Sequence, residues 1–319
     1  MPNRHISRTS IVLDGGRRCL YRFECRQEIK MFGEPPTALG RSIRVTSEGF
    51  EGHEPSVTVS RVSHAFGAPG APWRVEALRE TSLEIRNGEL MCFIGPSGCG
   101  KSTLLNIIGG MVEPVTGEVH VRGKAVNGPM PASIAYVFQE NALFPWYSVH
   151  ENITVGLEFQ GVPKDQRDER AREALEAVGL PEFAAHFPSQ LSGGMRQRVA
   201  LARALSLRTD ILLMDEPFAA LDEQTRMVLG EDLSQLLHSA AKTIIFVTHS
   251  LGEAVFLADR VAVFSARPGM IKALIDVDEP HPRSPEFMKS EKFARLRNQL
   301  YDLLHDEIRK TMTPVGVQS

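Results

Sequence analysis

Long apolar runs are missing from this chain. Within its 319 residues no stretch approaches the ~20 apolar residues that a bilayer-spanning helix needs, so the sequence offers no membrane span of its own. Cysteine is scarce: there are four, Cys19, Cys25, Cys92 and Cys99, which excludes a dense disulfide framework and points to a reducing compartment. Cys92 and Cys99 fall on an apolar strand and a glycine-rich loop, where a disulfide would obstruct binding, and Cys19 with Cys25 is too little for a metal site. A basic excess is lacking as well. The net charge is −3 with no long block of Lys or Arg, which gives no argument for a nucleic-acid partner. What remains is a 42% hydrophobic chain, long enough to bury a full core.

Against these absences one loop stands out. Gly95-Pro96-Ser97-Gly98-Cys99-Gly100-Lys101-Ser102 matches G-x-x-x-x-G-K-[ST] in full; it follows the apolar strand Leu90–Ile94 and opens a helical stretch through Thr103 to Ile108. Glycines let backbone N–H groups curl around phosphate oxygens, and a helix N-terminus adds partial positive charge. Lys101 supplies a mobile charge for the outer phosphates and Ser102 a hydroxyl for Mg²⁺. Further on, the apolar run Ile211–Met214 predicts a buried parallel strand and ends in Asp215-Glu216-Pro217. Strand alternation should send the two carboxylates apart, Asp215 to support a metal and Glu216 to face an attacking water.

Between these two lies Leu191-Ser192-Gly193-Gly194-Met195-Arg196-Gln197, ahead of a helical run from Gln197 to Leu205. Ser192, Gly193 and Gly194 form a second anion cradle of the same physical kind. With this motif the chain resembles the nucleotide-binding subunit of an ATP-binding cassette (ABC) transporter. The resemblance implies an α/β P-loop NTPase fold, a RecA-like core sheet with an antiparallel β subdomain and a helical subdomain. It implies ATP and Mg²⁺ as ligands, a homodimer in which Ser192–Gly194 of one copy meet the ATP of the other, and transmembrane permease subunits as partners. A solute-binding protein would act indirectly, with this chain peripheral on the cytoplasmic face of the membrane.

The same resemblance implies further roles. Gln139, after Val137-Phe138, matches the glutamine that reaches Mg²⁺ and the attacking water; His249, after Ile244–Thr248, matches the histidine that bonds the γ-phosphate; Ala220-Leu221-Asp222 resembles the loop that crosses the dimer interface. Phe66 fits the aromatic position that stacks adenine, with Trp73, beyond a Pro/Gly-rich turn, as a rival and a packed core Phe as the plain alternative. The segment Glu140 to Val149, with Phe144, Trp146 and Tyr147, matches the surface that receives a permease helix, with a local hydrophobic cluster tying the loop to the domain as the plain alternative.

Residues 1–52 carry nine Lys/Arg against six Asp/Glu, hold no sustained period and resemble a disordered or loosely attached extension; no apolar core of 7–15 residues marks a secretory signal. The cassette is expected over 53–280. A helical tail is expected over 281–319, with Phe293, Leu296, Leu300, Leu303 and Leu304 on one side of a helix from Glu291 to Lys310. Leu143–Trp146, Leu191–Arg198 and Ser265-Ala266-Arg267-Pro268-Gly269 resemble the importer branch for nitrate, sulfonates and taurine. The alternative is a soluble ABC-type ATPase of DNA repair or chromosome maintenance. It usually has a long coiled coil between the two cradles, and Ser102 to Leu191 shows no sustained heptads.

Overall fold

The computed structural model describes residues 55–312, apart from 69, 220, 222–225, 227–229 and 237–241. The extension over 1–52 and Asp222 of the dimer-crossing loop lie outside the described residues. Among those described, β1 (Val57–Phe66), β2 (Val75–Ile85), β4 (Thr116–Val121) and β5 (Lys124–Ala125) form an antiparallel sheet in the order β2-β1-β4-β5. A second sheet runs β10 (Ile271–Asp276), β9 (Arg260–Phe264), β3 (Leu90–Ile94), β8 (Thr243–Val247), β7 (Ile211–Asp215), β6 (Ile134–Val137). All of its neighbours are parallel except the β10–β9 edge pair.

Every residue of β3, β7 and β8 is buried, which is why those strands read as unbroken apolar runs. Alternation then divides each strand between two cores. Met91, Phe93, Leu213, Ile245 and Val247 join the core with α1 (Lys101–Ile108) and the antiparallel sheet. Cys92, Ile94, Leu212, Met214 and Phe246 join the core on the opposite face, with the remaining helices.

Those helices include α2 (Val149–Phe159), α3 (Lys164–Ala177), α4 (Gly193–Ser206), α5 (Leu251–Leu257) and α6 (Glu291–Met312). The first three pack on one another as a helical subdomain. A reciprocal box starts α2: Ser148 Oγ accepts from the Glu151 N–H at 3.2 Å and Glu151 accepts from the Ser148 N–H at 2.7 Å. In α3 only Ala171, Ala174 and Leu175 are buried, so its many charges remain on the solvent side.

The final helix, α6, buries Phe293, Leu296, Leu300 and Leu304 in the core that also holds α5. The chain between them is closed by Arg283, 5% exposed, which donates to the carbonyls of Val255, Phe256 and Ala258 at 2.8–3.0 Å and to those of Val277 and Glu279. A guanidinium there satisfies the orphan carbonyls at the end of α5 and complements its dipole. Burial pulls its pKa down to about 10, against the opposing pull of Asp259 and Glu279.

Candidate active site

The carboxyl ends of β3, β8, β7 and β6, neighbours in one parallel sheet, deliver the phosphate loop, His249, the Asp215–Glu216 pair and Gln139 to one edge. Ligands gather at such an edge in α/β sheets. The loop turns into α1 at Gly100, whose φ is 98° and whose place a Cβ could not share, since it would lie 2.7 Å from the Ala77 carbonyl oxygen. Ser97 and Gly98 face solvent. Lys101 is 4% exposed; its Nζ donates to the Gly95 and Pro96 carbonyls at 3.0 and 3.2 Å, so its charge is stored inside the curl of the loop. The Cys99 thiol is buried beside it and its pKa is pushed up by that burial, with Lys101 opposing.

The loop is braced from behind by a segment far along the chain. Gly269 N–H donates to the Ala77 carbonyl at 2.9 Å, Arg79 N–H donates to the Gly269 carbonyl at 3.0 Å, and a Cβ on Gly269 would stand 1.8 Å from the Cys99 carbonyl oxygen.

Across from the loop, Ser102 Oγ donates to Asp215 Oδ1 at 2.9 Å. Burial pushes the Asp215 carboxyl up; the Ser102 bond opposes that, Glu216 adds to it, and Lys101 and His249 oppose it. Glu216 departs from the expected cause of its direction. β7 stops at Asp215, and Glu216 has φ 45°, a left-handed conformation that a strand cannot continue through. The two carboxylates diverge because the backbone turns between them, not because of strand alternation. Both oxygens of Glu216 are then engaged: His249 Nε2 is 2.5 Å from Oε1, and Gln139 Nε2 donates to Oε2 at 3.3 Å.

Several supporting residues went unread in the sequence. Thr248 Oγ1 donates to Glu253, itself buried and raised in pKa by that burial, and Arg226 Nε lies 3.5 Å from Glu253. Ser250 caps α5 by accepting from the Glu253 N–H at 3.3 Å, so the loop carrying His249 is fixed on both sides. The pattern Ser250-x-x-Glu253 is a capping signature that could have flagged it. Asn152, fully buried, accepts from the Phe144 N–H at 2.8 Å and donates to the Phe144, Tyr147 and Ser148 carbonyls. Arg203 of α4 donates to the Asn141 and Ala142 carbonyls at 3.1 and 2.8 Å, its pKa lowered by burial. Together they pin the aromatic segment that follows Gln139, while Trp146 stays 67% exposed at its tip.

The second cradle is built as a helix start. Ser192 N-caps α4, its Oγ accepting from the Met195 N–H at 3.2 Å, so the helix begins at Gly193, ahead of the expected Gln197. Among the described residues no hydrogen bond or ion pair joins Ser192, Gly193 or Gly194 to Lys101, Ser102 or Glu216. Phe66 is 50% exposed and Trp73 65%, so neither is a core aromatic; Trp73 packs its ring over Gly67, and Phe66 meets His64 with ring centroids 4.8 Å apart.

The Ser102 hydroxyl and the Asp215 carboxylate bring two hard oxygens together here, while the Gln139 amide meets Glu216 through its Nε2. No group of three His, Cys, Asp or Glu among the described residues could hold a metal alone. That combination suits Mg²⁺, which keeps one or two protein ligands and takes the rest from phosphate and water.

The ABC transporter family matches residues 78–219. An uncharacterized ABC transporter ATP-binding protein of Methanocaldococcus jannaschii is 47% identical over 239 residues, 75% of this chain and 88% of that one. A taurine import ATP-binding protein of Rhizobium johnstonii is 44% identical over 252 residues, 77% and 96% of the two chains. A bicarbonate transport ATP-binding protein of Synechococcus elongatus is 39% identical over 259 residues, 80% and 92%. Among solved structures, the dimeric post-hydrolysis state of an ATP-binding cassette bound to ADP and Pi superposes with a TM-score of 0.62 at 33% identity, covering 70% of this chain and all of that one. The chain belongs to the ATP-binding subunits of ABC transporters, ATPases of the P-loop α/β fold that couple hydrolysis to transport.

Proposed function

We propose that this chain powers uptake of a small anion of the nitrate, sulfonate or taurine kind, as a head-to-tail homodimer beneath separate permease subunits. It sits peripherally on the cytoplasmic face of the membrane, and a solute-binding protein selects the cargo. The taurine-import and bicarbonate-transport relatives support the solute class, and the dimeric cassette of the structural neighbour supports the assembly.

The catalytic reading rests on one observation: Glu216 is held at both oxygens, by His249 and Gln139, beside the Ser102–Asp215 pair. Glu216 is the general base for the attacking water, His249 orients it and contacts the γ-phosphate, and Gln139 positions the water. Lys101 exchanges the carbonyls of Gly95 and Pro96 for the outer phosphates, while Gly95, Pro96, Ser97, Gly98, Cys99, Gly100, Ser102 and Thr103 wrap the rest. Phe66 stacks the base. Ser192, Gly193 and Gly194 of the partner copy close over the γ-phosphate. Ser102, Asp215 and Gln139 would hold Mg²⁺, which would neutralise charge on the transferring phosphoryl group.

The test is Glu216→Gln, which keeps shape and hydrogen bonding. Hydrolysis should fall by the ~10²–10⁴-fold typical of a lost general base while ATP binding is retained. Turnover near the wild-type rate would remove Glu216 from that role. Lys101→Ala should instead weaken ATP binding itself.

A further inference from the structure

At the amino ends of β7 and β8, away from the nucleotide edge, a cavity of about 410 Å³ opens between the helical subdomain and the core sheet. Four cationic side chains line it, each from a different part of the chain: Arg122 from the β4–β5 turn, Arg170 from α3, Arg208 just after α4 and Lys242 just before β8. Two carboxylates share the lining, Glu173 and Asp210. Both are already matched, Asp210 with Arg122 at 3.0 Å and Glu173 with Arg208 at 2.8 Å.

Arg170 and Lys242 are left over. Arg170 is half-buried and makes no ion pair among the described residues. Lys242 is half-buried too; among the described residues its Nζ donates to the neutral carbonyl of Thr209 and makes no ion pair, and its pKa is pulled down by burial, with Asp210 opposing. The adjoining residues 237–241 are Leu, His, Ser, Ala and Ala, so that segment brings no carboxylate to the lysine. A concave site with an excess of two positive charges, in a chain whose net charge is −3, is the reverse of the overall trend. Half-buried cations that lack an ion pair of their own are costly, and an anion that accepts from both would relieve that cost.

We propose that this cavity binds a small oxyanion of at least two negative charges, held between Arg170 and Lys242 and flanked by the Arg122–Asp210 and Arg208–Glu173 pairs. The site is separate from the phosphate loop. Yet β7, β8 and α4 run from it to Asp215, His249 and Ser192 at their other ends, so an occupant here touches the roots of three elements of the active site.

Equilibrium dialysis of the full-length protein with labelled sulfate tests this, with ADP and Mg²⁺ saturating the nucleotide site and chloride holding ionic strength constant. Wild type should bind sulfate saturably. Arg170→Gln, which breaks no ion pair, should bind it at least about tenfold more weakly, the loss expected for one charge-assisted contact. Arg170→Gln with Lys242→Gln should abolish the saturable component, whereas Arg170→Lys should keep most of it. Absence of saturable binding to the wild type would overturn the proposal, as would equal affinity in wild type and Arg170→Gln.

Discussion

Gly269 shows how far from the phosphate loop its geometry is decided. The residue lies outside the loop motif, yet its backbone bonds tie Ala77 and Arg79 together and its missing side chain leaves room for the Cys99 carbonyl. Gly269→Ala would place a Cβ 1.8 Å from that oxygen, a clash between backbone atoms that no rotamer relieves. The expected result is a displaced loop and ATP affinity reduced by about tenfold or more, with Lys101 intact; a fluorescent nucleotide titration would measure it. Unchanged affinity would show that the loop does not lean on this segment.

At this scale the sequence was partly legible. Lys101, Ser102, Asp215 and Glu216 could be picked out because local spacing marks them, and Gln139 and His249 through the family resemblance alone. Asn152 and Arg203 could not, because no pattern ties a lone Asn to an aromatic loop or an Arg to Ala142 61 residues away, and Glu253 was readable only as the cap partner of Ser250, not as the acceptor of Thr248. The left-handed turn at Glu216 is equally invisible, since nothing in Asp-Glu-Pro announces a positive φ.

Among the elements, α6 illustrates what periodicity can and cannot provide. Its apolar stripe, Phe293, Leu296, Leu300 and Leu304, was readable from spacing alone and is the buried face. Its polar anchor was not. Glu307, 2% exposed, accepts from the Ala266 N–H at 2.9 Å and from Lys272 and Lys310 at 3.1 and 2.7 Å, tying α6 to β10 and to the loop that carries Gly269. Burial pushes this carboxyl up, but the bonds from Lys310, the Ala266 N–H and Lys272 prevail and bring its pKa from 4.5 to about 2.

A carboxyl depressed in the folded state stabilises above its unfolded pKa and loses that contribution as pH falls through the folded value. Wild type should therefore lose thermal stability between about pH 4.5 and 2 more steeply than Glu307→Gln, and at pH 7 the variant should melt lower. Parallel melting curves for both proteins across that range would show it. Identical pH profiles would mean that Glu307 is not tied to its partners in solution.

For the whole molecule the question is how hydrolysis reaches a membrane partner. The aromatic segment is pinned underneath by Asn152 and Arg203, and both hold it through main-chain groups, leaving Trp146 67% exposed. A tryptophan so exposed contributes little to the fold, so the loss of ~3–5 kcal/mol that follows truncation of a buried one does not apply here. Trp146→Ala should leave the melting temperature and ATP affinity of the isolated subunit nearly unchanged. In the assembled transporter it should weaken permease binding more than about tenfold, as loss of an aromatic anchor does. A variant that melts early in isolation would return the segment to a structural role.

The central claim is that hydrolysis at Glu216 drives entry of a small anion. Cells in which this chain is replaced by its Glu216→Gln variant put that to the test directly, by uptake of labelled nitrate, taurine and bicarbonate measured beside cells carrying the wild type. Uptake of one of these solutes should drop to background in the variant while the permease remains at its normal level in the membrane. Entry of all three at the wild-type rate would contradict it.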